Sequence, residues 1–202
     1  MVRYHMRQHF NDLRTIESML LAGKLETSKA LAFMLTLPIS DPGMAPWAAE
    51  TRMVALVAGE LSQVRTLDEA LRTEARVAEA CAACHARTQR GPIFPMPSKA
   101  PPERPTVAAQ MARHRWAVDR LWEGLVGGSD AHWRSGLYAL ATTPPLFSKL
   151  TAAPQRATKL RELARRSLET YQHDSPAERA RQYGELLVTC VGCHKALRKL
   201  HE

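Results

Sequence analysis

Strand-forming stretches are nearly absent from this 202-residue chain, as are long apolar runs, blocks of one charge, and cysteines outside two short pairs. Each absence excludes something. The most apolar stretch, residues 31–39, is too short to cross a bilayer, is interrupted by Thr36 and contains Pro38, so no membrane span is expected. The 28 Lys and Arg outweigh 20 Asp and Glu to give a formal charge of +8. These cations stand singly and often near Glu, as in Lys159-Leu160-Arg161-Glu162, so no nucleic-acid stripe is read. A mildly basic surface of this kind suits an acidic protein partner. No Ser/His/Asp arrangement, phosphate-binding loop or paired catalytic carboxylates emerge, and no enzyme is expected. The first residues, Met-Val-Arg-Tyr-His, enter an amphipathic pattern with no apolar signal-peptide core.

What is present is helical periodicity. Between clusters of Gly and Pro, apolar residues recur at three- and four-residue spacing, which predicts an all-α fold. Helices are expected near 2–22, 25–36, 47–62 and 66–88, then near 106–127, 130–142, 153–172 and 176–200. Thr66-Leu-Asp-Glu69 and Ser175-Pro-Ala-Glu178 read as capping boxes, the second with Pro at the first helical position. Trp122 to Asp130 reads as a helix end, a glycine stop and a Ser or Asp cap for the next helix. Gly91 to Pro105 is a Pro-rich linker by composition, extended in part.

The two sides of that linker repeat. Met6-Arg-Gln-His9 and Met111-Ala-Arg-His114 are offset by 105 residues, as are Ile16 and Leu121, and Gly23 and Gly128. The cysteine pairs are offset by 109. Four helices per half joined by short loops predict two tandem four-helix bundles, over residues 1–97 and 98–202.

All four cysteines fall in Cys81-Ala-Ala-Cys84-His85 and Cys190-Val-Gly-Cys193-His194. With His at 8 of 202 positions, a His follows a given pair by accident about once in 25, so two such motifs form a strong c-type haem attachment signature. On a helix, positions i, i+3 and i+4 share a face. Cys81, Cys84, Cys190 and Cys193 can therefore form thioethers to two haem c groups, with His85 and His194 as proximal iron ligands. Competing readings are weaker. A four-cysteine zinc site places its pairs about 15–20 residues apart and needs no histidine. A thioredoxin-like pair needs a βαβ setting, and helical i, i+3 cysteines bridge poorly as disulfides. The four propionates of two haems would bring the formal charge to about +4. Covalent haem attachment in bacteria takes place outside the cytoplasm, so a periplasmic location is expected, the chain being a mature form or one that starts at a late methionine.

A Cys-x-x-Cys-His on the last helix of a four-helix bundle resembles the cytochrome c′ family, and the resemblance covers both halves. It implies an Arg or Lys four residues after the proximal His. Arg198 matches, whereas the first half has Gln89 there, flanked by Arg87 and Arg90. The family pairs subunits through its first two helices, a contact that tandem fusion could supply within one chain.

The resemblance also places residues of the first helix over the open haem face. There the chain offers Met6 with His9 and Met111 with His114, one turn apart on one helix face. Three readings stand open: His9 and His114 as distal ligands, Met6 and Met111 as distal ligands, or an open sixth site. Met6 and Met111 lie nearer the family's distal register, and the histidines one turn deeper. With both axial positions filled, the expected function is a one-electron carrier with a redox partner. The alternatives are a gas-binding or sensing haem protein for NO or CO, a haem subunit of a larger redox complex, or peroxidase-like activity. His5 is expected off the shared face, His132, His173 and His201 to be solvated, and Trp116, Trp122 and Trp133 to be ordinary core or porphyrin packing.

Overall fold

The computed structural model describes residues 2–37, 42–104, 106–143 and 154–198, and among these no strand occurs. The helices are α1 (Val2–Leu21), α2 (Leu25–Met34), α3 (Ala48–Gln63), α4 (Leu67–Thr88), α5 (Val107–Val126), α6 (Asp130–Thr142), α7 (Pro154–Thr170) and α8 (Pro176–Arg198), with a 3₁₀ turn at Pro42–Trp47 before α3. The expected boundaries agree to within two residues wherever they are described; 153 and 199–200 lie outside the described residues. No helix among the described residues is long and apolar enough to cross a membrane.

Local chemistry sets the helix ends. Thr66 accepts from the Glu69 amide while the Glu69 carboxylate accepts from the Thr66 amide, a reciprocal cap on α4. The Ser175 hydroxyl accepts from the Glu178 amide at the start of α8. Thr106 caps α5 through Ala109, and Ser129 caps α6 through His132. Gly23 and Gly128, repeat equivalents, both have positive φ (80° and 64°), which glycine adopts without steric cost.

In the first half α1 packs on α2, α2 on α3, α3 on α4, and α4 returns to α1; α5 to α8 follow the same order. Leu13, Ile16 and Leu20 form the buried stripe of α1, and Leu121 and Leu125 that of α5. Burying each such side chain contributes roughly 1.5–3 kcal/mol. The halves join mainly through α4 and α8, with further contacts of α4 to α5 and α1 to α8. Small side chains allow the joint to close: a Cβ on Gly184 of α8 would lie 3.1 Å from the Arg72 Cα of α4. At its rim Arg72 pairs with Glu185 at 2.6 Å. Inside the second half, a Cβ on Gly124 would lie 2.5 Å from the Trp133 backbone nitrogen, so α5 and α6 approach more closely than any other residue permits.

The Pro-rich segment has no regular structure, as expected, yet it is held against the second half. Phe94 and Ala100 pack on the core. The Pro95 carbonyl accepts from His132 Nε2 at 2.8 Å, and the Pro101 carbonyl from Arg113 at 2.8 Å. This corrects the expectation of a solvated His132. It is 2% exposed, because the Pro-rich strap covers it and supplies its hydrogen-bond acceptor. His173 is exposed, as expected, and His201 lies outside the described residues.

Candidate functional site

Each Cys-x-x-Cys-His occupies the C-terminal turns of the last helix of its half, on α4 and on α8, and each lines a cavity. The first, about 1060 Å³, has Cys81, Cys84 and His85 on one wall and Met6, His9, Phe10 and Leu13 of α1 on another. Thr51 and Val54 of α3, the segment Gln89 to Ile93, and Trp122 and Val126 of α5 complete it. The second, about 500 Å³, sets Cys190, Cys193 and His194 together with Met111 and His114 of α5, Arg156 and Leu160 of α7, and Arg14, Glu17 and Ser18 of α1. Every motif residue and every distal candidate singled out in the sequence therefore lines one of two cavities.

The electrostatics of the imidazoles suit metal ligation. His9 and His114 are both lowered to about 4, in each case first by burial. The next cause is His5 for His9, and His194 for His114. Neutral imidazole keeps a lone pair to offer, and both rings are neutral at pH 7. His85 is also lowered, by burial, with a hydrogen bond from its Nδ1 to the Val126 carbonyl (3.1 Å) acting against this. A carbonyl only accepts, so Nδ1 carries the proton and Nε2 bears the free lone pair. A backbone partner of this kind fixes the tautomer and orientation of a ligating histidine. That carbonyl belongs to α5, so the second half orients the histidine of the first.

The thiols are held neutral. Burial pushes Cys81 and Cys190 up to about 12, with the other cysteine of each pair adding to the effect. Burial also raises Cys84 and Cys193. A thiol that resists ionisation is a poor zinc ligand and a poor redox nucleophile. All four cysteines are free rather than disulfide-bonded. Among the described residues no group of three or more His, Cys, Asp or Glu could hold a bare metal ion.

Just beyond the first motif the chain reverses sharply. Gln89 closes α4 with φ 52°, in the left-handed region. The turn brings Gly91 over His85, where a Cβ would lie 3.1 Å from the histidine Cβ. Gln89 and Arg90 line the first cavity, whereas Arg87 turns away to pair with Glu50 at 3.3 Å. The Arg198 side chain lies outside the described residues.

Two features were not read from the sequence. His5, expected off the shared face, sits against His9 with ring centroids 4.1 Å apart and planes tilted by 53°, because i and i+4 fall on one stripe of α1. More consequentially, each cavity draws its wall from both halves. Met6 to Leu13 of α1 face the first cavity, and the next residue, Arg14, faces the second. Likewise α5 gives His114 and Val118 to the second cavity and Trp122 to the first. The Arg14 guanidinium lies 5.4 Å from the centre of the Trp122 ring, so the two walls touch. Trp133, by contrast, is plain buried core.

Comparison with family models, curated proteins and solved structures finds no match.

Proposed function

We propose that the chain is a dihaem c-type cytochrome of the periplasm that passes single electrons, built as two related four-helix bundles resembling cytochrome c′. One observation carries the reading: two separate cavities each set a helical Cys-x-x-Cys-His beside a half-buried, neutral histidine from another helix. The cysteines would hold the vinyl carbons, His85 and His194 the proximal side of the irons, and His9 and His114 the distal side, with Met6 and Met111 one turn away. A haem iron brings four nitrogen ligands of its own and supplies a reversible one-electron couple, so one or two protein ligands per site suffice.

The chain's own residues do the rest. The Val126 carbonyl keeps the His85 lone pair on Nε2, and burial keeps His9 and His114 unprotonated. Arg7 and Arg90 at the first cavity, and Arg115 and Arg156 at the second, are placed to neutralise propionates. Contact between Arg14 and Trp122 makes the cavities neighbours, which favours electron exchange between them over independent action. The basic surface suits an acidic redox partner, with an association rate that falls as salt rises.

A second reading, binding of NO or CO, is favoured at the first cavity. That cavity has about twice the volume of the second, and His9 does not feel the charge of His85 as His114 feels that of His194. A CO titration of the reduced protein decides. No binding supports the carrier with both sites closed, one CO per chain supports an open first site, and two refute histidine ligation at both. A methionine-to-iron band near 695 nm (about that wavelength) in the oxidised spectrum would replace His9 or His114 by Met6 or Met111.

A further inference from the structure

Between the two cavities lies a pair of acids that electron transfer, as proposed above, leaves unused. Glu74 of α4 is fully buried, and neither of its carboxyl oxygens has a hydrogen-bond partner among the described residues. Glu17 of α1 is 2% exposed; it accepts from Arg14 Nη1 at 2.8 Å and from the Tyr183 hydroxyl of α8. The pair reaches both motifs, since a charge on Glu74 acts on Cys81 and one on Glu17 acts on Cys190. Glu17 itself lines the second cavity.

An ionised carboxylate without donors is not tolerated in an apolar interior, and two neighbouring carboxylates do not both ionise. Burial, then the charge of Glu17, drives Glu74 well above the usual carboxylate range. Burial also raises Glu17, with Arg14 and Tyr183 opposing. The pair therefore holds a proton more tightly than free carboxylates do, with Glu74 the more strongly raised and Arg14 and Tyr183 favouring the negative charge on Glu17. The groups facing it are Arg14 on α1, Cys81 on α4, Arg115 and Asp119 on α5, and Tyr183 and Cys190 on α8. From α2 and α3 the buried side chains are Ser28 and aliphatics, with no charge among them.

We propose that Glu17 and Glu74 form an internal proton-binding site between the two cofactor cavities, which takes up a second proton when an electron enters a neighbouring cavity. The inference rests on the dihaem reading. The electron would come from a one-electron donor protein; one proton leaves a solvent hydronium ion, whose O–H bond breaks as a new O–H bond forms on the pair, and water is released. The added negative charge is cancelled by the proton, so the apolar interior keeps its net charge. For unit charges about 10 Å apart at an effective dielectric of about 20, this coupling changes proton affinity roughly tenfold. Linkage makes the effect reciprocal: protonating the pair makes the cofactor easier to reduce.

Redox titration of the holoprotein across pH, with haem content measured on the same sample, tests this. Across the interval where the pair titrates, the midpoint potential falls with pH by about 59 mV in total, the potential equivalent of tenfold for one electron. Reduced-minus-oxidised infrared spectra gain a protonated-carboxyl stretch over the same interval. Both signals are lost in Glu17→Gln, which keeps an acceptor for Arg14 and Tyr183, and in the Glu17→Gln/Glu74→Gln double variant. An unchanged slope and infrared gain in the double variant, at full haem content, overturn the proton site and leave the cytochrome reading intact. A chain without haem overturns both.

Discussion

Replacing Glu74 by Gln makes the protein more stable at neutral pH, and the gain grows with pH. In the unfolded chain Glu74 ionises near about 4.3. In the folded protein its complete burial and lack of donors keep it protonated far above that value. Because the folded state binds the extra proton, stability is full below the unfolded value. It is lost by about 1.4 kcal/mol for each pH unit above it, until the folded value is reached. At pH 7 this loss burdens the native protein, its size set by how far burial raises Glu74. Gln cannot ionise and removes it, while its buried amide is left as poorly partnered as the neutral acid it replaces. For a chain of this size each 1 kcal/mol of the difference corresponds to about 2–4 °C in Tm. Thermal unfolding of both proteins at pH 4.5, 6, 7 and 8 reads it directly: the curves nearly coincide at the lowest pH and diverge upward. Parallel profiles, or a variant less stable at pH 7, would refute a protonated, unpartnered Glu74.

Other substitutions test the packing. Gly124→Ala drives a Cβ into the Trp133 backbone at 2.5 Å and lowers stability by about 1–3 kcal/mol in urea unfolding, whereas a neutral result would show that α5 and α6 separate freely. Gln89→Gly relieves a left-handed non-glycine residue and raises stability by up to about 1 kcal/mol in the same assay; a loss would mean that the side chain itself holds the turn. Trp122→Phe removes the indole beside Arg14 and slows electron exchange between the sites in flash-photolysis transients, with the absorption spectra unchanged.

The helices were readable because apolar period and caps agree at nearly every boundary, as at Thr66/Glu69 and Ser175. The shared helical face of each Cys-x-x-Cys-His was readable because residues at i, i+3 and i+4 need no tertiary information to share it. The partnership between halves was not readable. Repeat offsets relate Met6 to Met111, but they do not say that α4 lies on α8, a contact set by side chains as small as Gly184. Leu13 and Arg14 thus face different cavities for a reason that exists only after the halves dock. His132 was misread because a helical histidine after a glycine turn looks solvated until the Pro-rich strap covers it. The paired carboxylates did leave a signal that went unread. Glu17 lies between Leu13, Ile16 and Leu20, and Glu74 between Leu71, Val77 and Ala78, each a charge in register with an apolar stripe. The repeat places Trp122 opposite Glu17 and Tyr183 opposite Glu74, so the acids belong to one half alone.

The central claim is covalent attachment of two haems, and denaturing mass spectrometry with a pyridine haemochrome assay tests it most directly on chain produced with cytochrome c maturation machinery. The account predicts a mass increase of two haems, falling to one in Cys81→Ala/Cys84→Ala and to one in Cys190→Ala/Cys193→Ala. An unmodified mass with four titratable thiols would contradict it.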